Sequence, residues 1–226
     1  MTTDLKTPSI PRRVARWLSA LGWALATVGL VSGCASGLLP KPATQPVLFA
    51  LDASTPELPP MATGATPAKA PGLTLTVDVP RAAAGYDTPQ MAYLRRPHEM
   101  EYFASHQWVD TPARMLTPQI VQALQRSNVF RAVVMTPTTA AGELRLETEL
   151  LRLQQDFSQS PSRVRLTLRA LLINTASRQV LAARKFDLDQ AAASDDPYGG
   201  ALAANLLVQQ MLSQLAAWAS RSVGTQ

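Results

Sequence analysis

Between Arg163 and Leu172 the chain alternates in type. Val164, Leu166, Leu168, Ala170 and Leu172 are apolar, and Arg163, Arg165, Thr167 and Arg169 stand between them. A strand turns successive side chains to opposite faces, so a period of two commits this segment to a sheet with one face in a core and the other in water. Residues 174–178 supply a turn, and 180–188 follow as a second run. Ahead of both, Leu144, Leu146, Thr148 and Leu150 alternate until the apolar parity passes to Leu151 and Leu153. A bulge, or a place at the edge of the sheet, accounts for that change. The three runs predict an antiparallel meander.

The remaining elements are read around it. Residues 73–79 place Leu73, Leu75, Val77 and Val79 on one face of a half-buried strand, with Thr74, Thr76 and Asp78 opposite. Residues 91–94 and 99–108 form a hairpin through Arg95, Arg96 and Pro97, and 130–134 form a further strand. Residues 47–51 are apolar at strand length and dock on the domain as its first strand. Thr111-Pro112 is an N-cap with Pro at the first helical position, and Met115, Leu116, Ile120, Val121 and Leu124 follow at helical spacing. Pro118 is expected to kink this helix or restart it. Tyr198-Gly199-Gly200 leads into a last helix in which Leu202, Leu206, Val208, Met211, Leu212, Leu215 and Trp218 gather on one broad side. The expected fold class is α+β: about seven strands in a mostly antiparallel sheet, with two main helices packed on one face.

Residues 1–16 carry Lys6, Arg12, Arg13 and Arg16 against Asp4, and residues 17–31 carry no charge over 15 positions. That is the pattern of a secretion signal, and the run falls short of the ~20 residues a helix needs to cross the hydrocarbon core. Val31-Ser32-Gly33-Cys34 closes it with a branched apolar residue, two small ones and the single cysteine of the chain. This resembles the lipobox of bacterial lipoproteins. Small residues let a peptidase reach the bond before Cys34, whose thiol takes up a diacylglyceryl group, and the new amine can be acylated in turn, with palmitate among the acyl chains. Each buried methylene contributes about 0.8 kcal/mol, so two or three chains hold a protein on a bilayer without a span. An Asp directly after the lipidated Cys often marks inner-membrane retention in lipoproteins. Ala35 stands there instead, which favours the periplasmic face of the outer membrane. An ordinary signal peptide, or an uncleaved anchor with Cys34 incidental, is the plainer alternative.

The domain organisation that follows is a signal peptide over 1–33, the lipidated Cys34 and a proline-rich tether with its short strand over 34–71, and one α/β domain over 72–222. Loss of residues 1–33 removes four basic residues and Asp4, so the net charge falls from +5 to +2. A nucleic-acid partner then has no electrostatic basis, and no recognition motif supplies another.

A single cysteine excludes a disulfide within the monomer and any set of cysteine ligands for a metal. His98 and His106 stand near Glu99 and Glu101, but alternation sets His98 and Glu99 on opposite faces and no third ligand has diagnostic spacing. A surface histidine beside a glutamate is the simpler account. No serine lies in a nucleophile elbow, and Gly199-Gly200 lacks a phosphate-loop pattern, so no catalytic residue, cofactor or metal site is expected and the chain reads as a non-enzyme. Asp195-Asp196 could meet calcium, yet the dipole of the helix behind them explains two acidic residues there. Tyr86, Tyr102, Phe103 and Trp108 cluster in sequence, either as strand packing or as a partner-binding surface.

VLFAL soon after Cys34, GLTLTVDVP leading to AGYDTPQMAYLRRPHEMEYFASHQWVD, the helix TPARMLTPQIVQALQRSNVF, the strands VRLTLRALLINTASRQVLAARKFDL and the final Ala/Leu-rich helix occur here in one order. In that order and spacing the sequence resembles the ABC-type transport auxiliary lipoproteins, a family that includes PqiC-like lipoproteins. The resemblance implies a non-catalytic partner of an MCE-type transporter, in which an inner-membrane permease and ATPase work with MCE-domain proteins to move lipids across the periplasm. It implies a foothold at the outer membrane and allows a homo-oligomer; Tyr86, Asp87, Pro89, Gln90, Tyr102 and Trp108 are the candidate partner-binding residues. Two rivals belong to other classes: an outer-membrane lipoprotein that activates or scaffolds a cell-wall synthase, and a lipid-binding shuttle.

Overall fold

A computed structural model describes residues 45–52 and 72–224. Its elements run β1 (Val47–Phe49), β2 (Thr74–Val77), β3 (Arg81–Ala82), β4 (Gln90–Arg96), β5 (Glu99–Trp108), α1 (Pro112–Arg126), β6 (Ala132–Met135), β7 (Leu144–Asp156), β8 (Arg163–Asn174), β9 (Val180–Ala191) and α2 (Pro197–Gly224). The described residues belong to one compact unit. The signal-peptide reading, Cys34 and most of the tether lie outside the described residues.

All nine strands join one sheet. Its three antiparallel pairings include the long ones, β7 with β8 and β8 with β9, and the third is the β4–β5 hairpin. The parallel pairings are short. β7 is the shared member: one edge meets β8 along its length, and the other meets β2, β3 and β4 in turn, all parallel to it. These three pieces lie end to end like one interrupted strand. Beyond them β6 pairs with β2 at one end, while β5 and then β1 extend from β4 at the other.

The parity change in β7 is a bulge. Leu150 faces Leu168 and Arg152 faces Thr167, so Leu151 is the extra residue, and the strand lies inside the sheet rather than at its edge. On the inner face Leu144, Leu146, Leu150 and Leu153 of β7 meet Val164, Leu166, Leu168, Ala170 and Leu172 of β8, all buried. On the outer face Arg165 reaches Asp156 at 3.0 Å, Arg81 reaches Glu147 at 3.7 Å, and Arg169 pairs with Glu149. Turn chemistry sets the register. Asn174 Oδ1 accepts the amides of Ala176 and Ser177, both at 3.0 Å, and Arg178 takes φ 58° to close β8 onto β9. His98, at φ 68°, closes the β4–β5 hairpin.

Both helices pack on the inner face. α1 buries Leu116, Ile120 and Leu124, and continues through Pro118 as one helix, so the restart expected there does not occur. Thr117 Oγ1 donates to the Ala113 carbonyl at 3.1 Å instead of capping a new helix. α2 buries Leu207, Val208, Met211 and Leu215, and Trp218 meets Phe186 edge-on at 6.1 Å. Each fully buried side chain of this size contributes about 1.5–3 kcal/mol.

Four other expectations are corrected. The strand count is nine rather than about seven, and the strand not read is β3, which has only two residues and carries no period. β2 is buried on both faces, because Arg131 donates to Thr74 Oγ1 at 2.8 Å and Glu143 accepts the Thr74 amide at 2.7 Å, while Val79, expected inward, is exposed. α2 begins at Pro197, ahead of the two glycines: Asp196 caps it by accepting the Gly199 amide at 2.7 Å. Finally, Leu202 and Leu206 are exposed rather than part of the broad buried side, since Ala201, Ala203 and Ala204 bring that turn of α2 close to the sheet. Gly200 belongs to the same approach: a Cβ there would lie 2.2 Å from Gln155 Oε1.

Candidate functional site

The segment between β3 and β4 folds back over the outer face of β7. Gly85 takes φ 88°, a region that penalises a side chain, and a Cβ there would stand 3.0 Å from Met100 Sδ. Tyr102 donates its hydroxyl to the Gly85 carbonyl at 3.0 Å. Tyr86 is buried and donates to Gln154 Oε1. Burial pushes its phenol pKa above the ordinary value of 10, against the opposing pull of Arg152. The Pro89 carbonyl accepts the Trp108 amide at 2.7 Å, and Thr88 Oγ1 accepts the Gln90 amide at 3.2 Å.

Of the six residues singled out for partner binding, Tyr86 and Trp108 are therefore buried and Tyr102 is partly so. Their hydroxyl and backbone groups tie down the turn. Asp87, Pro89 and Gln90 are exposed on it. The three facing solvent are thus presented by a segment whose conformation the other three hold.

The histidines are apart. His98 occupies the hairpin turn, and His106 stacks on Phe49 with ring centres 6.0 Å apart. Among the described residues no group of three His, Cys, Asp or Glu side chains is arranged to hold a metal. Asp195 and Asp196 spend their oxygens on backbone amides: Asp195 accepts from Ser162 at 2.6 Å, and Asp196 caps α2. Those bonds hold both carboxyls below their ordinary pKa.

On the outer face of the sheet Arg152, Arg163, Arg165, Asp187 and Asp189 line an open polar cleft of about 480 Å³. Asp187 accepts from Thr167 at 2.8 Å, which holds it ionised, and Asp189 is paired with Arg163. Burial alone would raise the pKa of Asp156, but its bonds from Ser158 and the charge of Arg165 bring it below the ordinary value. Such carboxylates are poor proton donors near neutral pH.

Two apolar surfaces lie on the other side, and sequence periodicity missed both. One is an open groove of about 600 Å³ along α1, lined by Leu51, Val109, Met115, Val121 and Met135 among others. The other joins β1 to the first half of α2. Val47, Tyr198, Leu202 and Leu206 are all more than two-fifths exposed there, and Leu48 is exposed on the opposite face of β1. The spacing Tyr198, Leu202, Leu206 is a usable signal of this face, although Leu202 and Leu206 were expected on the buried side.

Residues 57–216 match the model of a family described as ABC-type transport auxiliary lipoprotein component. No curated protein matches the chain in sequence. Among solved structures, a Xanthomonas campestris protein of the DUF330 family is similar at 22% identity and a TM-score of 0.66, over 79% of this chain and 97% of that one. Another, described as uncharacterized, is similar at 12% identity and a TM-score of 0.58, over 78% of this chain and 99% of its own. At these identities the likeness is one of fold.

Proposed function

The chain belongs to the ABC-type transport auxiliary lipoprotein component family, and from that premise we propose that it is a non-catalytic outer-membrane lipoprotein subunit of an MCE/ABC-type lipid transport system. Acyl chains on Cys34 anchor it at the periplasmic face of the outer membrane, and its folded domain links a periplasmic MCE-domain protein to that membrane. The observation that carries the reading is a combination within one chain: the family match over residues 57–216, and Val31-Ser32-Gly33-Cys34 at the end of a charged and then apolar N-terminus. Asp87, Pro89 and Gln90 are the proposed partner contacts, with Tyr86, Tyr102 and Trp108 holding the turn that carries them. Self-association into a homo-oligomer belongs to the same reading, as it would set several anchored copies around one transporter.

The full-length protein, tagged at its C-terminus, is grown with a labelled fatty acid beside Cys34→Ala, and partners are crosslinked in the membrane fraction. Label that depends on Cys34, with an MCE-domain protein among the partners, is the expected result. No label removes the lipid anchor. Label with only cell-wall enzymes as partners replaces the transporter by a cell-wall synthase.

A further inference from the structure

Ten large hydrophobic side chains are notably exposed among the described residues, and four of them, Val47, Tyr198, Leu202 and Leu206, belong to the side on which β1 meets α2, with Leu48 and Val109 exposed beside it. Contacts of neighbouring residues hold their elements together. The Val109 amide donates to the Phe49 carbonyl at 2.8 Å, and the Phe49 and Tyr198 rings lie 6.3 Å apart. Asn205 donates to the Ala50 carbonyl at 3.1 Å and accepts the Asp52 amide at 2.7 Å, which sets the Tyr198–Leu202–Leu206 side of α2 beside the end of β1. Exposed apolar surface gathered in this way marks a place that meets something apolar.

We infer that this region rests on the surface of the bilayer that holds the acyl chains of Cys34. The inference builds on the lipid anchor proposed above. Its occupant follows from where the chain leads. Only residues 35–46 separate Cys34 from Val47, and an extended chain covers about 3.5 Å per residue, so the anchor lies within roughly 45 Å of β1. The strand carrying Val47 and Leu48 is the described element covalently nearest the lipid. A tether of this length keeps the edge at high effective concentration over the membrane, where a modest apolar contact suffices.

The side chains suit that surface. Aliphatic groups can enter the boundary between headgroups and acyl chains, and a tyrosine ring fits the headgroup level with its hydroxyl in water. Asp52, Asp110 and Asp196 lie beside the region and Arg114 pairs with Asp110 at 3.8 Å, so no excess of basic residues draws it to anionic lipid. The surface is therefore fitted to zwitterionic lipid and to a contact that salt does not weaken.

The protein matured at Cys34 is placed on phosphatidylethanolamine–phosphatidylcholine vesicles, naturally acylated in one arm and coupled through its single cysteine to a maleimide lipid in the other. Tyr198→Trp supplies a fluorophore, read against the same protein without it, and nitroxide-labelled lipids supply the quencher. Quenching of the added tryptophan in both arms, unchanged by salt, is expected. Leu202→Glu with Leu206→Glu should lower the docked-to-undocked ratio at least about tenfold, as loss of two leucines from an apolar contact implies, while Val180→Glu, exposed on β9, should leave it unaltered. Absence of quenching in the coupled protein overturns the docking. So does a dimer in detergent that the double substitution dissolves, since the occupant is then a second copy. Failure of natural acylation together with quenching in the coupled arm overturns the anchor and leaves the affinity of this surface for lipid standing.

Discussion

β7, β8 and β9 are strands of 12 or 13 residues that pair along their length, whereas β1, β3 and β6 on the other side of the sheet have two to four residues each. The long strands carry their own instructions. Alternate residues of β7 and β8 face the core on either side of the Leu151 bulge, outward arginines of β8 find carboxylates on the neighbouring strands, and the turns hold Asn174 and Arg178 where the chain must reverse. The short strands take their places from residues elsewhere: β1 from the edge of β5, β3 from the middle of β7, and β2 with β6 from a net in which Arg131 and Glu143 bracket Thr74. A strand of three residues has too little side-chain pattern to choose a register, so tertiary contacts choose it.

The widest separation between the two regions should appear in denaturant melts. Leu168→Ala on fully buried β8 is expected to cost about 2–5 kcal/mol, while Leu48→Ala on exposed β1 stays within about 0.5 kcal/mol. Equal losses would break the distinction. Next in size is Gly200→Ala, whose new methyl would press on Gln155; it should cost about 1–3 kcal/mol, and clearly less in a Gln155→Ala background. Additive effects in that double-mutant cycle would mean that α2 does not approach β7 as closely as described.

A pH titration sharpens the comparison on the side of the short strands. The backbone amide of Thr74, followed by the Arg131 guanidinium, lowers the pKa of Glu143 from 4.5 to about 2. A carboxylate depressed in the folded state stabilises it fully above pH 4.5, and that contribution drains away as pH falls through about 2. A carbon-13 titration should place the Glu143 midpoint near 2, and Glu143→Gln should flatten the stability profile between the two values; a midpoint near 4.5 would dissolve the net around β2. The smallest effect belongs to the outer face of the long strands. Lys185 and Asp187, 3.3 Å apart and both exposed, should be worth less than about 0.5 kcal/mol in a double-mutant cycle, with little left in high salt.

The same contrast explains what could be read in advance. The meander and the hairpin follow from period and turn chemistry, as does the existence of both helices. Pro118 misled because a proline removes one donor without obliging a helix to stop when the flanking turns are packed. Leu202 and Leu206 misled because α2 is apolar nearly all round, so periodicity could not tell which leucines the alanine-rich approach would leave outside. For Tyr86, Tyr102 and Trp108 the sequence showed an aromatic group close in order but not that they are anchors beneath an exposed turn; the hydroxyl bonds to Gly85 and Gln154 needed the fold.

β7 is where the β2–β6 end, the β4–β5–β1 end and the meander meet. Each end rests on a different stretch of one edge: Leu144 to Leu146 for the first, Gln154 to Asp156 for the second. Neither ladder needs the other to be closed, so the two ends can open as separate units in native-state hydrogen exchange while β7 and β8 keep their amides until the whole domain unfolds. Met91, Ala92 and Trp108 of the second end lie in the core, so of that end it is β1, with Val47 and Leu48 exposed, that can fray while the core stays closed.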